Sequence, residues 1–151
     1  DSEERDMNEV RPFEGGCLCG AVRYRATEAP VRGVMCHCPQ CRRHSGAPAL
    51  SFVHFPVRSF TWTRGGPKRY QSSEFAQRGF CANCGSTLSM HEEILADRML
   101  VAVGSLDEPN RVHIDDHVWT KDQLAWFKID DGLPRFATNS SAVATKAHIR
   151  T

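Results

Sequence analysis

The chain is 151 residues long, carries a formal net charge of +1, and is 40% hydrophobic and 25% charged. That length predicts one domain with its own core, small enough to gain from metal cross-links. The near-neutral balance gives no sign of a nucleic-acid or membrane-surface partner, and no apolar run of about 18 residues offers a membrane span.

In chain order, Asp1-Ser2-Glu3-Glu4-Arg5-Asp6 is too polar for a signal peptide, and Met7 reads as a natural start. Residues 1–12 are expected to be an N-terminal extension. A first cysteine knot, Cys17-Leu18-Cys19, precedes an alternating strand over residues 21–26. A second, Cys36-His37-Cys38-Pro39-Gln40-Cys41, leads into Arg42-Arg43-His44, enough for one helical turn. Residues 49–55 alternate between Pro48 and Pro56 and read as a strand. Residues 59–62 and 68–71 flank Arg64-Gly65-Gly66-Pro67, which predicts a hairpin. The third knot, Cys81-Ala82-Asn83-Cys84, runs into Gly85-Ser86-Thr87-Leu88, a knuckle turning into a strand. Residues 99–103 suit a buried strand ended by Gly104-Ser105, and residues 121–126 are a modest helix candidate. From residue 137 the chain is small and polar, with too little apolar surface to offset its ordering entropy, so residues 137–151 are expected to be a flexible tail. Short strands between turn signals, with little helical periodicity and no internal repeat, predict a mainly β domain.

The seven cysteines carry the most information. Structural zinc takes four protein ligands in a closed tetrahedron, whereas catalytic zinc takes three and keeps one position open. Seven thiols divide into one of each. Two Cys knuckles far apart in sequence can share one tetrahedral site, and Cys17 and Cys19 with Cys81 and Cys84 fit that description. Cys36, Cys38 and Cys41 then stand alone around a second ion, with His37, His44, His54 and His91 as candidate fourth ligands.

Disulfides suit the pattern less well. An odd count leaves one thiol over, and a Cys-X-Cys ring is too small to close without strain. Cys81 and Cys84 could form a redox pair, but that motif normally opens a helix in a βαβ unit, not a strand. Metal-binding thiols fit a reducing compartment, so a cytoplasmic location is expected. Counting seven thiolates against two divalent ions turns the small positive charge negative, further from a nucleic-acid role.

Three ordered motifs resemble one family. They are Gly15-Gly16-Cys17-Leu18-Cys19-Gly20-Ala21-Val22-Arg23-Tyr24, Cys36-His37-Cys38-Pro39-Gln40-Cys41-Arg42-Arg43-His44-Ser45-Gly46 and Phe80-Cys81-Ala82-Asn83-Cys84-Gly85-Ser86. Together with Val112-His113-Ile114, Trp119, Trp126 and Asp131-Gly132-Leu133-Pro134-Arg135-Phe136 they resemble the glutathione-dependent formaldehyde-activating enzyme family over residues 13–136. The resemblance implies a small β-tent-like domain of short antiparallel strands held by zinc knuckles, with two zinc ions. It assigns Cys17, Cys19, Cys81 and Cys84 to a structural Cys₄ site and Cys36, Cys38 and Cys41 to a catalytic Cys₃ site with an open position. It also implies a carbon–sulfur lyase acting on thiol adducts, typified by condensation of glutathione with formaldehyde to S-(hydroxymethyl)glutathione. The expected partners are a small thiol and a small aldehyde.

An open Cys₃ site suits sulfur chemistry. A coordinated thiol is deprotonated, and thiolate is the nucleophile that attacks a small aldehyde. Three anionic ligands lower the metal's Lewis acidity, which makes water activation the less favoured use. Glutathione carries two carboxylates and one ammonium, so Arg42 and Arg43 are candidate substrate-binding residues; they could equally be solvated, or donate to ligand sulfur. The competing reading is a non-catalytic zinc module for protein binding, which would require a fourth protein ligand or a plugged pocket.

Overall fold

The computed structural model describes residues 11–140. Within them lie β1 (Phe13–Gly16), β2 (Arg23–Ala26), β3 (Arg32–Cys36), α1 (Pro39–Ser45), β4 (Leu50–Pro56), β5 (Phe60–Arg64), β6 (Lys68–Ser73), β7 (Ala76–Phe80), β8 (Thr87–Glu92), β9 (Arg98–Ala102) and β10 (Asp116–Val118). The fold is mainly β, as the strand spacing predicts. A three-stranded sheet runs β1-β2-β5, and a seven-stranded sheet runs β10-β3-β4-β9-β8-β7-β6. All neighbours are antiparallel except β10, which lies parallel to β3.

Because cross-strand partners point to the same side of a sheet, the register sorts the large sheet into two apolar faces. Val53, Phe55 and Val101 form one core cluster with Phe13, Tyr24 and Ala26 of the small sheet. Phe52, opposite Val34 on β3 and Ala102 on β9, points the other way and packs with Cys36, Cys38, Cys41, Met90 and Leu100. Central strand β4 is therefore apolar on both sides, and the cluster of three cysteines sits under the second face.

Two expectations are corrected. Residues 64–67 do not form a hairpin: β5 pairs with β2 in the small sheet and β6 with β7 in the large one. Tyr24 holds β5 in place, its ring 5.3 Å from Phe60 and 5.8 Å from Trp62, so the Gly-Gly-Pro segment carries the chain between sheets. Residues 121–126 do not form an α-helix but contribute to a 3₁₀ turn, Thr120–Asp122. There the N–H groups of Thr120 and Lys121 go to the carbonyls of Phe136 and Ala137, which displaces the helical pattern.

Of the expected tail, residues 141–151 lie outside the described residues, as do residues 1–10 of the expected extension. Residues 137–140 are tied down. Trp119 donates from its backbone N–H to Thr138 and from Nε1 to Asn139, and Ser140 is buried. Among the described residues no helix is long and apolar enough to cross a membrane.

Candidate metal centres

Two matching turns build the first cluster. Cys17 donates its N–H to Val22 and Cys81 donates to Ser86, so each knuckle closes over the same number of residues. Gly20 and Gly85 sit within these turns at φ of +82° and +78°, a conformation that a residue without a Cβ adopts without cost. The Leu18 N–H donates to Ser86 Oγ and links the two knuckles. The sulfurs of Cys17, Cys19, Cys81 and Cys84 all lie within 4.8 Å of one another. Cys17 and Cys19 are 3.6 Å apart, and Cys19 and Cys81 3.8 Å apart. A tetrahedron with metal–sulfur bonds near 2.3 Å has edges of about 3.8 Å, so the spacing fits an ion the size of zinc.

The donors around this cluster favour thiolate. Val22 N–H donates to Cys17 Sγ at 3.2 Å, Asn83 and Cys84 N–H groups both donate to Cys81 Sγ, and Asn83 Nδ2 donates to Cys19 Sγ. The hydroxyl and backbone N–H of Ser86, followed by the Cys19 backbone, pull the Cys84 thiol down to about 5.

The second cluster comes from the end of β3 and the start of α1. Pro39 supplies the preset φ of the first helical residue, and Cys38 caps the helix by accepting the Cys41 N–H on Sγ at 3.4 Å. The sulfurs of Cys36, Cys38 and Cys41 also lie within 4.8 Å of one another, and all three residues are buried. Crowding by the Cys38 and Cys41 thiols, then burial, pushes the Cys36 thiol well up. A bound cation would relieve that crowding, because coordination releases thiol protons. Both sets of residues fit a thiophilic metal.

No histidine joins either cluster among the described residues. His37 points its Nε2 to His117 Nδ1 at 2.9 Å, and His117 Nε2 meets Asp131 Oδ2 at 2.7 Å. Both rings are fully buried. His44 Nδ1 faces Arg78, His54 Nδ1 faces Arg98, and His91 meets the Ala96 carbonyl. The set Asp131-His117-His37 therefore braces the backbone between Cys36 and Cys38, an arrangement that sequence spacing could not reveal across 80 and 14 residues.

Arg42 and Arg43 lie on α1 directly after Cys41, Arg43 exposed and Arg42 half-buried. Neither hydrogen-bonds to a sulfur among the described residues. The arginine that does is Arg78 on β7, 3% exposed, with its two terminal nitrogens 3.6 and 3.7 Å from Cys41 Sγ. Gln40 Oε1 and His44 Nδ1 hold the same guanidinium. Sequence reasoning missed it: Arg78 shares the inward register of Ala76 on β7 and pairs with Met90, a placement set by the β7–β8 pairing.

Two cavities reach the three-cysteine cluster. One of about 520 Å³ is lined by Cys38, Gln40, Ser73 and Lys121, and one of about 50 Å³ is lined by Cys36, Phe52, Met90 and Leu100. Trp119 lines both. Its backbone is left-handed, φ 59° and ψ 38°, a strained conformation for a bulky side chain.

Residues 12–122 match the family model described as glutathione-dependent formaldehyde-activating enzyme. A curated Schizosaccharomyces pombe protein named as an uncharacterized lyase is 38% identical over 76 residues, covering 50% of this chain and 55% of that protein. The chain thus matches about half the length of that relative. A crystal structure of a Rhodobacter sphaeroides protein superposes with a TM-score of 0.52 at 21% identity, covering 82% of this chain and 98% of the other, which is a likeness of fold.

Proposed function

This chain belongs to the glutathione-dependent formaldehyde-activating enzyme family, and from that membership we propose that it is a zinc-dependent carbon–sulfur lyase joining a small thiol to a small aldehyde. Glutathione with formaldehyde, giving S-(hydroxymethyl)glutathione, typifies the reaction. The observation that carries the reading is the coordination count at Cys36, Cys38 and Cys41. Three thiols converge with no histidine among them, and cavities adjoin that cluster.

In this reading Cys17, Cys19, Cys81 and Cys84 hold a structural ion that pins the β1–β2 turn of the small sheet to the turn before β8. Cys36, Cys38 and Cys41 hold the reactive one. Bound there, zinc would supply an electrophilic position at which an incoming thiol gives up its proton and remains nucleophilic. The sulfur lone pair forms the C–S bond, the carbonyl π pair moves to oxygen, and one proton, equal to that lost by the thiol, completes the adduct. The reverse reaction breaks the same bond and returns thiol and aldehyde.

The residues around the cluster support each part. Arg78 places a buried positive charge against Cys41 and offsets the negative charge of three thiolates. The Asp131-His117-His37 chain holds the Cys36-His37-Cys38 backbone in place. The cavity at Cys36 is about 50 Å³, roughly a third of the ~150 Å³ that admits benzene, so it suits a one- or two-carbon aldehyde. Arg42 and Arg43 lie in the last turn of α1 and would be the cations for a thiol substrate's carboxylate in this reading. The thiol-rich centres suit a reducing, cytoplasmic setting.

Native mass spectrometry with glutathione, then with glutathione and formaldehyde, tests the reading. Two zinc ions per chain and a glutathione complex that depends on Cys38 are expected. A single zinc with no response to glutathione would point to a non-catalytic binding module.

A further inference from the structure

We propose that Lys121 and Asp122 form a paired docking site for the α-amino-acid end of the thiol substrate, on the Cys38 side of Trp119. The inference rests on the lyase reading and adds to it the residues that would hold one end of a thiol carrying an α-ammonium and an α-carboxylate on the same carbon.

Three observations converge. First, both residues line the cavity of about 520 Å³ that opens on Cys38, and that volume lies in the range of cavities that take drug-sized ligands. The other cavity at the cluster, at about 50 Å³, is too small for such a thiol. Second, Lys121 and Asp122 are opposite charges on adjacent residues, and among the described residues neither has an ion-pair partner. An α-amino acid presents the complementary pair, carboxylate and ammonium, one bond from a shared carbon.

Third, the backbone that presents them is strained and pinned. Trp119 holds φ of 59° immediately before the turn, and strain of this kind persists only where surrounding bonds enforce it. Here the N–H groups of Trp119, Thr120 and Lys121 donate to Thr138, Phe136 and Ala137, and Asp122 N–H donates back to Trp119. Lys121 Nζ also lies 5.2 Å from the Trp119 ring, which limits its sweep. These restraints fix the backbone that presents the two charges before a ligand arrives, which reduces the ordering cost of binding.

With the thiol of such a ligand directed to the cluster beside Cys38, its amino-acid end would reach the Lys121–Asp122 turn. Glutathione meets this description through its γ-glutamyl end, and its glycine carboxylate remains available to Arg42 or Arg43.

The test uses the zinc-loaded full chain and two ligands: glutathione, and 2-mercaptoethanol, which has a thiol but no charges. Rates with formaldehyde are compared for wild type, Lys121→Met and Asp122→Asn. Each variant should raise the KM for glutathione about fivefold, on the scale of one exposed charge contact, while the KM for 2-mercaptoethanol moves less than twofold. Calorimetric titration with S-methylglutathione, which keeps the charges without a free thiol, reads docking independently of turnover. Binding should weaken in both variants by a similar factor. Equal shifts for both thiols, or unchanged S-methylglutathione binding in both variants, would overturn the pairing. If wild type turns over neither thiol yet binds S-methylglutathione through Lys121 and Asp122, the lyase reading fails and the docking site stands.

Discussion

Arg78 sets both terminal guanidinium nitrogens against one sulfur, that of Cys41, at 3.6 and 3.7 Å, from a position that is 3% exposed. An arginine so buried is tolerated only when paired, and here its partner is a thiol whose anionic form the guanidinium favours. The pair ties β7, the strand that leads into the Cys81 knuckle, to the helix that carries Cys41.

Arg78→Met should therefore weaken metal binding at Cys36, Cys38 and Cys41 by about tenfold or more, the usual scale for losing a group that supports a metal ligand. The four-cysteine cluster should keep its ion. Arg78→Lys retains the charge but not the two-nitrogen contact and should fall between. Chelator competition reads both sites; two ions held as tightly in Arg78→Met as in wild type would defeat this account.

The two clusters should respond differently to losing a ligand. Cys81→Ser opens the site that joins two knuckles 64 residues apart, and structural zinc contributes its binding free energy to folding. That variant should be poorly folded by circular dichroism. Cys38→Ser removes one ligand from a cluster already backed by the apolar face of Phe52, Met90 and Leu100, and should stay folded with less metal and no thiol-adduct chemistry. Equal collapse of both would contradict the division into structural and reactive centres.

How far these sites could be read from sequence depends on whether the bonds are local. Both cysteine clusters were legible because their thiols come in tight knots whose spacing constrains geometry. Strand β4 was legible because proline brackets a run of β-favouring residues, although that run, expected to alternate, is buried on both faces. Arg78 was not, since its partner lies 37 residues away and only the pairing of β7 with β8 turns it inward. Nor was the crossing at residues 64–67, where local turn chemistry favours a hairpin but the Tyr24, Phe60 and Trp62 rings hold β5 in the other sheet. At residues 120–122 the competing partners are the carbonyls of Phe136 and Ala137, which no local pattern announces.

His117→Phe should cost stability and metal together. It leaves His37 Nε2 and Asp131 without their 2.9 and 2.7 Å partner. The buried end of that loss is His37, and an unsatisfied buried polar group costs about 1–3 kcal/mol. Thermal unfolding should shift down, and zinc should leave the Cys36-Cys38-Cys41 cluster at lower chelator concentration. His117→Gln, which can hydrogen-bond with both neighbours, should recover part of each effect. A large stability loss with metal retention unchanged would separate the histidine chain from the metal centre.

His54 predicts how stability varies with pH. It is 4% exposed, and burial first, then Arg98 and Arg32, lower its pKa to about 3. The ordinary value of about 6.5 applies once the chain unfolds. Between these values the unfolded state binds a proton that the folded state refuses, so stability falls as pH falls below about 6.5. From pH 7 to pH 5 this one residue should cost about 2 kcal/mol. In His54→Leu the imidazole is gone, so the loss of stability over the same interval should be smaller by that amount, whatever the baseline stability of the variant. Acid release of zinc and the protonation of other histidines enter both proteins alike and cancel in the comparison. Urea unfolding of both proteins at the two pH values measures the difference. Parallel losses in wild type and His54→Leu would show that burial, with Arg98 and Arg32, does not keep this ring neutral.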